Sequence, residues 1–185
     1  MQTDGIIVQL PFPKHIDIEE VLKQIPVTLD VDAVHYDGKS DEVFPPVVGA
    51  IKAIADRYDV LFAAAKVAIV GAGKLVGKPA EVWTKKIGAQ VEVYDKDTKN
   101  LPGKLREAHI IISGAGVPGL ITPDCIREGA VIFDAGTTEE GGMLRGDATP
   151  ECAKKTALFT PVPGGIGPIT IAVLLQNLVK LSLNR

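Results

Sequence analysis

Short apolar runs alternate with polar turns along most of the chain after residue 65. Four of these runs predict buried strands, at 66–73, 90–95, 109–116 and 130–136. Helices are predicted between them at 79–88 and 101–108, and a helical turn at 122–129. Strands that alternate with short helices form a parallel sheet with helices over its faces. The pattern therefore predicts the α/β fold class.

Residues 1–65 are predicted to form fewer strands and helices than the rest of the chain. Residues 4–11 predict a short buried strand, and residues 15–25 predict a helix with one apolar face. A second helix is expected over 45–60, where it begins at a proline pair. One strand and one helix cannot enclose a core by themselves. Residues 1–45 therefore predict a partial second α/β domain.

The C-terminal stretch joins a stiff loop to an apolar helix. Residues 161–168 contain three prolines and three glycines, and the helix follows directly. Glycines allow close backbone approach and prolines hold the shape of a loop, so this segment predicts one wall of a ligand site. Because the helix is apolar on nearly all sides, we expect it to be packed between other elements. No apolar run reaches the roughly 20 residues of a membrane span, so no membrane partner is expected.

A glycine-rich segment, VGAGKLVGKP at 70–79, follows the first of the four strands and precedes a helix. Gly71, Gly73 and Gly77 allow backbone N–H groups to approach a pyrophosphate at the helix N-terminus. Their spacing is one residue longer than G-x-G-x-x-G, and the alternative interpretation is a tight turn without a ligand. With alternating strands and helices after it, the turn predicts a Rossmann-type dinucleotide-binding sheet.

Acidic residues follow the second of these strands. Asp95 ends it, where a carboxylate can accept the ribose 2′- and 3′-hydroxyl protons of a bound nucleotide. An acid at this position repels a 2′-phosphate, and Asp97 adds to the repulsion. The expected cofactor is NADP or NAD, with a lean towards NAD.

Composition and charge exclude several classes of protein. A chain of 185 residues is long enough for one domain and part of another. Its formal net charge of −3 gives no electrostatic case for binding nucleic acid. Cys125 and Cys152 stand alone, so no metal site is expected, and the interpretation is a reduced, cytoplasmic protein.

Eight segments are distinctive in combination. They are DGIIVQLPFPKHID (4–17), DVDA (30–33), VGAGKLVGKP (70–79), DKDTKNL (95–101), GVPGLIT (116–122), GAVIFDAGT (129–137), GDAT (146–149) and TPVPGGIGPITIAVLLQNL (160–178). In content and order, they resemble the methylenetetrahydrofolate dehydrogenase/cyclohydrolase family, the bacterial FolD family. The most specific segments are VQLPFPKHID and PVPGGIGPIT.

This resemblance implies an enzyme with two activities. The family oxidises 5,10-methylenetetrahydrofolate with NAD(P)⁺ to the methenyl cation, and then hydrolyses the cation to 10-formyltetrahydrofolate. Gln9 resembles the side chain that works with a catalytic lysine. Asp32 resembles the carboxylate that holds the amino and ring N–H groups of the pterin, two donors that one carboxylate can accept. Further residues resemble substrate contacts of the family, namely Pro11, Pro163, Gly164 and Gly165.

The expected cofactor residues lie in the glycine turn and at the strand ends. They are Gly71, Gly73, Lys74, Val76, Gly77, Asp95, Gly114 and Gly136. Lys74 has two interpretations, a phosphate contact or a solvated lysine. The expected partners are a small-molecule folate and a second copy of the chain in a homodimer.

The chain departs from the family at important positions. The catalytic lysine of the family lies in a Tyr-x-x-x-Lys motif, which this sequence does not contain. Ala72 and Gly73 stand where most relatives carry arginine and serine, which weakens the case for NADP. Two explanations are open, a truncated piece of an ordinary enzyme or a short protein that has lost the lysine or obtains it in trans. The alternative function is a catalytically impaired dinucleotide-binding module.

The resemblance also implies a division of the chain. The parts are a remnant of the folate-binding and catalytic domain (1–45), an interdomain helix (46–65), the NAD(P)-binding Rossmann domain (66–160), and the site loop with a helix that packs back on the first domain (161–185). A strand that starts at residue 5 favours truncation, which would expose a strand edge and an apolar helix. We therefore expect the chain to self-associate, or residues 1–45 to be partly disordered.

Overall fold

The secondary structure comes from a computed structural model that describes residues 3–10, 12–13 and 15–183. The helices are α1 (Ile18–Lys23), α2 (Pro46–Arg57), α3 (Gly77–Lys86), α4 (Leu101–Glu107) and α5 (Ile166–Leu183). The strands are β1 (Lys66–Val70), β2 (Gln90–Tyr94), β3 (Ile110–Ser113), β4 (Ala130–Asp134), β5 (Thr138–Glu140), β6 (Met143–Arg145) and β7 (Thr156–Phe159). Short 3-10 segments span Val27–Leu29, Pro123–Cys125 and Pro150–Lys154.

Five parallel strands form the central sheet in the order β2-β1-β3-β4-β7. The four strands expected from the apolar runs after residue 65 are confirmed, although each ends one to three residues earlier. The chain passes from β1 to β2 on one side and then returns to β3 on the other. Ligands of open α/β sheets bind at such a reversal, beyond the carboxyl ends of the strands. The α/β, Rossmann-type fold class is confirmed.

β7 and the β5–β6 hairpin were not predicted. β7 is only partly buried, and its pairing with β4 is irregular between Ala130 and Val131. The hairpin turns at Gly141 and Gly142, whose φ angles are 61° and 77°. Neither element contains a long apolar run, so the hydrophobic pattern gives little sign of them.

Alternate strand residues point to opposite faces of the sheet and build two apolar layers. Val67 and Ile69 belong to the layer that contains Trp83 of α3 and residues of α2 and α5. Ala68 and Val70 belong to the layer on the other face, together with residues of α4. Both faces are thus covered, which leaves the carboxyl edge of the sheet for a ligand.

The predicted strand over residues 4–11 is wrong. Ile6 makes an isolated parallel bridge with Asp30, and its N–H donates to Leu29 O at 2.7 Å. An apolar run becomes a strand only where a second extended segment lies beside it, and here the partner is the end of a 3-10 segment. The described residues of this segment therefore form one bridge rather than a strand.

The two helices expected before residue 66 are confirmed with different bounds. α1 is shorter than expected because Asp17 caps it, accepting from the Glu19 N–H at 2.8 Å. α2 begins at Pro46, whose fixed φ suits the first turn of a helix.

α5 packs along α2, and the buried Asn177 fixes its position. Asn177 Nδ2 donates to Val31 O at 3.0 Å and to Phe44 O at 2.8 Å. The opposite face is exposed and carries four large apolar side chains, which we call the α5 stripe: Ile171, Leu175, Val179 and Leu183. The expectation that this helix is packed on all sides is therefore wrong for the described chain.

α5 is also long and apolar enough, by length and composition, to cross a membrane. Its mean hydropathy is 1.6 over 18 residues, and no other helix in the described ranges meets this criterion. A single helix of this kind is weak evidence for a membrane span. In this chain, Asn177 joins the helix to the N-terminal segment by a hydrogen bond to Val31 O.

Candidate functional site

Three glycines with different constraints shape the turn between β1 and α3. Gly71 has a φ of 98°, and a Cβ there would meet Gly114 O at 2.7 Å. Gly77 opens α3, and a Cβ there would collide with Gly71 O. Gly73 is exposed and has no atom within 4 Å of its Cβ position. Two glycines therefore fix the turn, and the third leaves room for a ligand beside the backbone.

The turns after β1 and β3 lie side by side at the point where the strand order of the sheet reverses. Gly114 N–H donates to the carbonyl of the last residue of β1 at 2.9 Å. The space beside Gly114 is filled by Val76, 2.6 Å from its Cβ position. Gly136 is buried after β4, with its N–H donating to Asp134 Oδ1 at 2.9 Å. The structure thus brings Gly71, Val76 and Gly114 together, with Gly136 at the same edge of the sheet.

The N-terminus of α3 fits a phosphate group. Val76 occupies its N-cap position without a side-chain hydrogen bond, and no acid lies in the first turn. Helix N-termini attract anions. In this one, the Lys78 N–H donates to Gly73 O at 3.0 Å and Pro79 has no N–H, which leaves the Gly77 N–H and the helix dipole to face a ligand. Together with the open space at Gly73, these residues fit the pyrophosphate of a dinucleotide.

Lys74 forms an ion pair across the molecule. Its Nζ contacts Glu19 Oε1, which joins the glycine turn to α1. This hydrogen bond is the main reason that the pKa of Glu19 is lowered. Both side chains are exposed, and such pairs contribute little stability. The lysine expected at a phosphate therefore has a different partner in the described chain.

Asp95 lies directly after β2 and is held in a local turn. Its Oδ1 accepts from Asp97 N–H at 3.1 Å and from Thr98 Oγ1 at 3.0 Å. The carboxylate is exposed and stands at the strand end where a ribose contact is expected.

A cleft of about 580 Å³ separates the glycine turn from the N-terminal segment. Its walls come from α1, the chain around residue 32, the starts of α2 and α3, and α5. The lining includes Leu10, Glu19, Asp32, Tyr36, Lys74 and Thr170. The cleft therefore joins the expected folate residue Asp32 to the expected nucleotide residue Lys74.

Asp32 is a half-buried acid in this cleft. Its Oδ2 accepts from Val8 N–H at 3.4 Å. Burial raises the pKa of Asp32, the hydrogen bond from Val8 opposes this rise, and the charge of Asp30 adds to it. The carboxylate can accept the donors of a ligand bound in the cleft.

Gln9 does not line the cleft. The side chain is exposed, and its Nε2 donates to the carbonyl of the neighbouring Leu10 at 3.2 Å. Leu10 itself does line the cleft, so this segment borders the cavity. The expected contact Pro11 lies outside the described residues.

The loop before α5 turns back on itself beside the cleft. Gly165 N–H donates to Pro161 O at 2.8 Å, and a Cβ at Gly165 would meet the same oxygen at 2.5 Å. Pro163 and Gly164 are exposed. None of the three expected loop residues lines the cleft, which meets α5 at Thr170 instead. Asp32, the expected folate contact, and the loop therefore do not line one cavity in the described chain.

Two buried acids at the carboxyl edge received no role from sequence. Asp134 and Asp147 are each 1% exposed. Burial raises the pKa of Asp134 despite hydrogen bonds from three backbone N–H groups. The sequence signals were the FDAGT and GDAT segments, which do not reveal that the two acids meet.

Comparison with known proteins decides the family. A family model, described as the tetrahydrofolate dehydrogenase/cyclohydrolase NAD(P)-binding domain, matches residues 45–185. The chain belongs to the tetrahydrofolate dehydrogenase/cyclohydrolase family. The resemblance inferred from the eight segments is therefore confirmed, and the chain contains an NAD(P)-binding domain.

Members of this family align with nearly the whole chain. The bifunctional protein FolD of Hydrogenobaculum sp. is 39% identical over 186 residues, which cover 96% of this chain and 67% of the relative. The crystal structure of bifunctional FolD from Campylobacter jejuni has a TM-score of 0.93 at 36% identity, covering 98% of this chain and 68% of that one. FolD from Trypanosoma brucei, solved with NADP cofactor and an inhibitor, has a TM-score of 0.90 at 30% identity, covering 98% and 67%. The chain spans about two thirds of the length of these relatives.

Proposed function

We propose that the chain serves the oxidation of 5,10-methylenetetrahydrofolate to 5,10-methenyltetrahydrofolate with NAD(P)⁺, and the hydrolysis of that product to 10-formyltetrahydrofolate. The observation that carries the proposal is the cleft, because Asp32 and Lys74 of the glycine turn line the same cavity. A folate held at Asp32 would face a nucleotide held at the start of α3. The family membership supports the same two activities.

Asp32 is the proposed anchor for the pterin. An ionised carboxylate can accept both an amino N–H and a ring N–H, which fixes the ring in one orientation. The largely apolar wall formed by Leu10, Leu22 and Val47 suits the flat faces of that ring. From the family segments, Gln9 is proposed as the side chain that works with the catalytic lysine, and Pro11, Pro163, Gly164 and Gly165 as further substrate contacts; the last three lie outside the Asp32 cleft and would reach only a part of the folate that extends beyond it.

A bound nicotinamide nucleotide supplies the hydride acceptor for the oxidation. Gly71, Gly73 and Gly77 would let its pyrophosphate approach the N-terminus of α3. Gly114 and Gly136 stand at the neighbouring strand ends and would border the nicotinamide. Holding both reactants in one orientation supplies much of the rate of such a transfer.

NAD is the proposed preferred cofactor. Asp95 is exposed at the end of β2 and its carboxylate would accept hydrogen bonds from ribose hydroxyls. The same charge would repel the 2′-phosphate of NADP, and Asp97 follows two residues later. Neither Ala72 nor Gly73 supplies a cation that could offset this repulsion.

We also propose that two copies of the chain associate through the α5 stripe in a cytoplasmic homodimer. The stripe is an exposed apolar row without a charged side chain, which favours coverage by a second protein surface. Both cysteines are free thiols, as is usual in a reducing compartment. The proposed domain division places residues 1–45 beside α5, an arrangement supported by the Asn177 hydrogen bond to Val31.

The proposed activity is tested by absorbance spectroscopy of the methenyl product. Purified chain is mixed with 5,10-methylenetetrahydrofolate and either NAD⁺ or NADP⁺, with Asp32→Asn as the control. Product formation with the lower Michaelis constant for NAD⁺ is expected. Nucleotide binding without any product would favour the alternative, a catalytically impaired dinucleotide-binding module, and a strong preference for NADP⁺ would contradict the role of Asp95.

A further inference from the structure

Asp147 gathers three donors from the end of β3 and the loop after it. Its Oδ2 accepts from Ser113 Oγ at 2.6 Å and from Ala115 N–H at 2.7 Å. Its Oδ1 accepts from Val117 N–H at 2.7 Å. One carboxylate, 30 to 34 residues away in sequence, therefore fixes the path of the chain from Ser113 to Val117.

Asp134 holds Asp147 in place. Its Oδ1 accepts from the Asp147 N–H at 3.2 Å and from the Gly136 N–H at 2.9 Å. Its Oδ2 accepts from the Ala148 N–H at 2.8 Å. A Cβ at Gly136 would collide with the Asp147 carboxylate, so the absence of a side chain there keeps room for this acid.

The burial of two carboxylates in a protein core is energetically unfavourable. Both acids are 1% exposed, and neither has a cationic side chain as a partner among the described residues. Burying a carboxylate costs free energy unless hydrogen bonds replace its water, and apolar residues would fill the same space more cheaply. What the two acids supply instead is a fixed geometry for the backbone groups that donate to them.

The backbone that Asp147 holds lies next to the glycine turn. Gly71 and Gly114 are in close contact, since a Cβ on Gly71 would meet Gly114 O at 2.7 Å. Asp95, the expected ribose contact, stands at the end of β2 on the opposite side of β1. The strand order reverses at β1, which lies between β2 and β3. A dinucleotide bound across the end of β1 with its adenosine half over β2 therefore has its nicotinamide half over β3.

We propose that Asp147, supported by Asp134, is a positioning residue that holds loop 114–117 against the glycine turn and so sets the affinity for the nicotinamide half of the dinucleotide. The inference rests on the proposed function for its ligand. It adds a role for two acids that touch no ligand themselves.

The experiment uses Asp147→Asn, which keeps the shape of the side chain and replaces one acceptor oxygen with an NH₂ donor. That amide cannot accept from both Ala115 N–H and Val117 N–H. Titration calorimetry measures binding of NAD⁺, NADP⁺ and ADP, and NMR hydrogen exchange measures protection of the two amides. We expect faster exchange at the one of these two amides that loses its acceptor, and about a ten-fold weaker affinity for the preferred dinucleotide, with ADP binding changed by less than about two-fold.

Asp124→Asn is the matched control, because it makes the same chemical change at an exposed acid. It is expected to leave both measurements unchanged. Should Asp147→Asn fail to fold, Ser113→Ala removes one of the three donors and is expected to weaken dinucleotide binding by about three-fold.

The outcomes separate the inference from the proposed function. A wild-type chain that binds neither NAD⁺ nor NADP⁺ would overturn both. If wild type binds, the inference alone fails when the folded variant keeps wild-type dinucleotide affinity. It also fails when ADP and dinucleotide affinities fall equally, since that result indicates general damage to the fold.

Discussion

At the scale of single residues, Gly73 and Gly77 have different roles in the turn between β1 and α3. Gly77→Ala places a Cβ against Gly71 O, a backbone atom that cannot move aside cheaply. We expect it to lower the free energy of unfolding by about 2 kcal/mol in urea denaturation. Gly73→Asp adds a Cβ that meets no atom and is expected to change stability by less than about 0.5 kcal/mol, while its negative charge weakens nucleotide binding about ten-fold by repelling the pyrophosphate. Unchanged nucleotide affinity in Gly73→Asp would argue against a phosphate site at this turn.

At the same scale, the carboxylate of Asp32 is expected to make folate affinity depend on pH. Only the ionised carboxylate can accept two N–H donors, and burial raises its pKa. Folate affinity should therefore be full above this raised pKa and fall as the pH drops through it, starting at a higher pH than for an ordinary carboxyl. Asp32→Asn should weaken folate binding by about ten-fold or more and abolish that pH dependence. Equilibrium titration with folate across the acid range measures both effects, and a wild-type pH profile in the variant would refute the anchor role.

At the scale of elements, the buried amide of Asn177 helps to hold α5 against the N-terminal segment. Asn177→Ala removes two hydrogen bonds and leaves the carbonyls of Val31 and Phe44 without this donor. We expect a loss of about 1–3 kcal/mol in the free energy of unfolding, measured by urea denaturation. Gln176→Ala, at an exposed neighbouring position, is the matched control. Equal stability of the two variants would mean that α5 is held by its apolar contacts and by the Lys180 Nζ hydrogen bond to Glu42 O, without a contribution from Asn177.

The elements that sequence predicted best are those with dense local signals. β1, α3 and the glycine turn between them follow from a valine-rich run, a proline and three glycines within a few residues. The strand expected over 4–11 failed because its partner is a single residue, Asp30. Likewise, the Asp134–Asp147 contact depends on hydrogen bonds between segments that the sheet brings together, and no local pattern encodes such a pairing.

The candidate site could be predicted only in part, because it also depends on contacts between segments that are distant in sequence. Asp32 and Lys74 of the glycine turn line one cleft, and the folate and nucleotide roles expected for them stay predictions. The loop at 163–165 carries the most distinctive motif in the chain, yet it does not line that cleft. A motif identifies which residues matter to a family, whereas their distances depend on how α5 and the N-terminal segment pack.

At the scale of the whole molecule, the α5 stripe predicts self-association. Leu175 is 56% exposed in the middle of the stripe, so Leu175→Lys places a charge where a partner surface would lie. We expect light scattering to give a dimer mass for wild type and a monomer mass for the variant. Gln176→Lys adds the same charge beside the stripe and should remain dimeric. Identical masses for wild type and Leu175→Lys would exclude the stripe as the interface.

Hydride transfer between ligands bound to this chain tests the central claim most directly. The chain is incubated with NAD⁺ or NADP⁺ and with 5,10-methylenetetrahydrofolate that carries deuterium at its methylene carbon. Mass spectrometry of the reduced nucleotide should find one deuterium, transferred from that carbon. A nucleotide that stays oxidised while both ligands are bound would contradict the account.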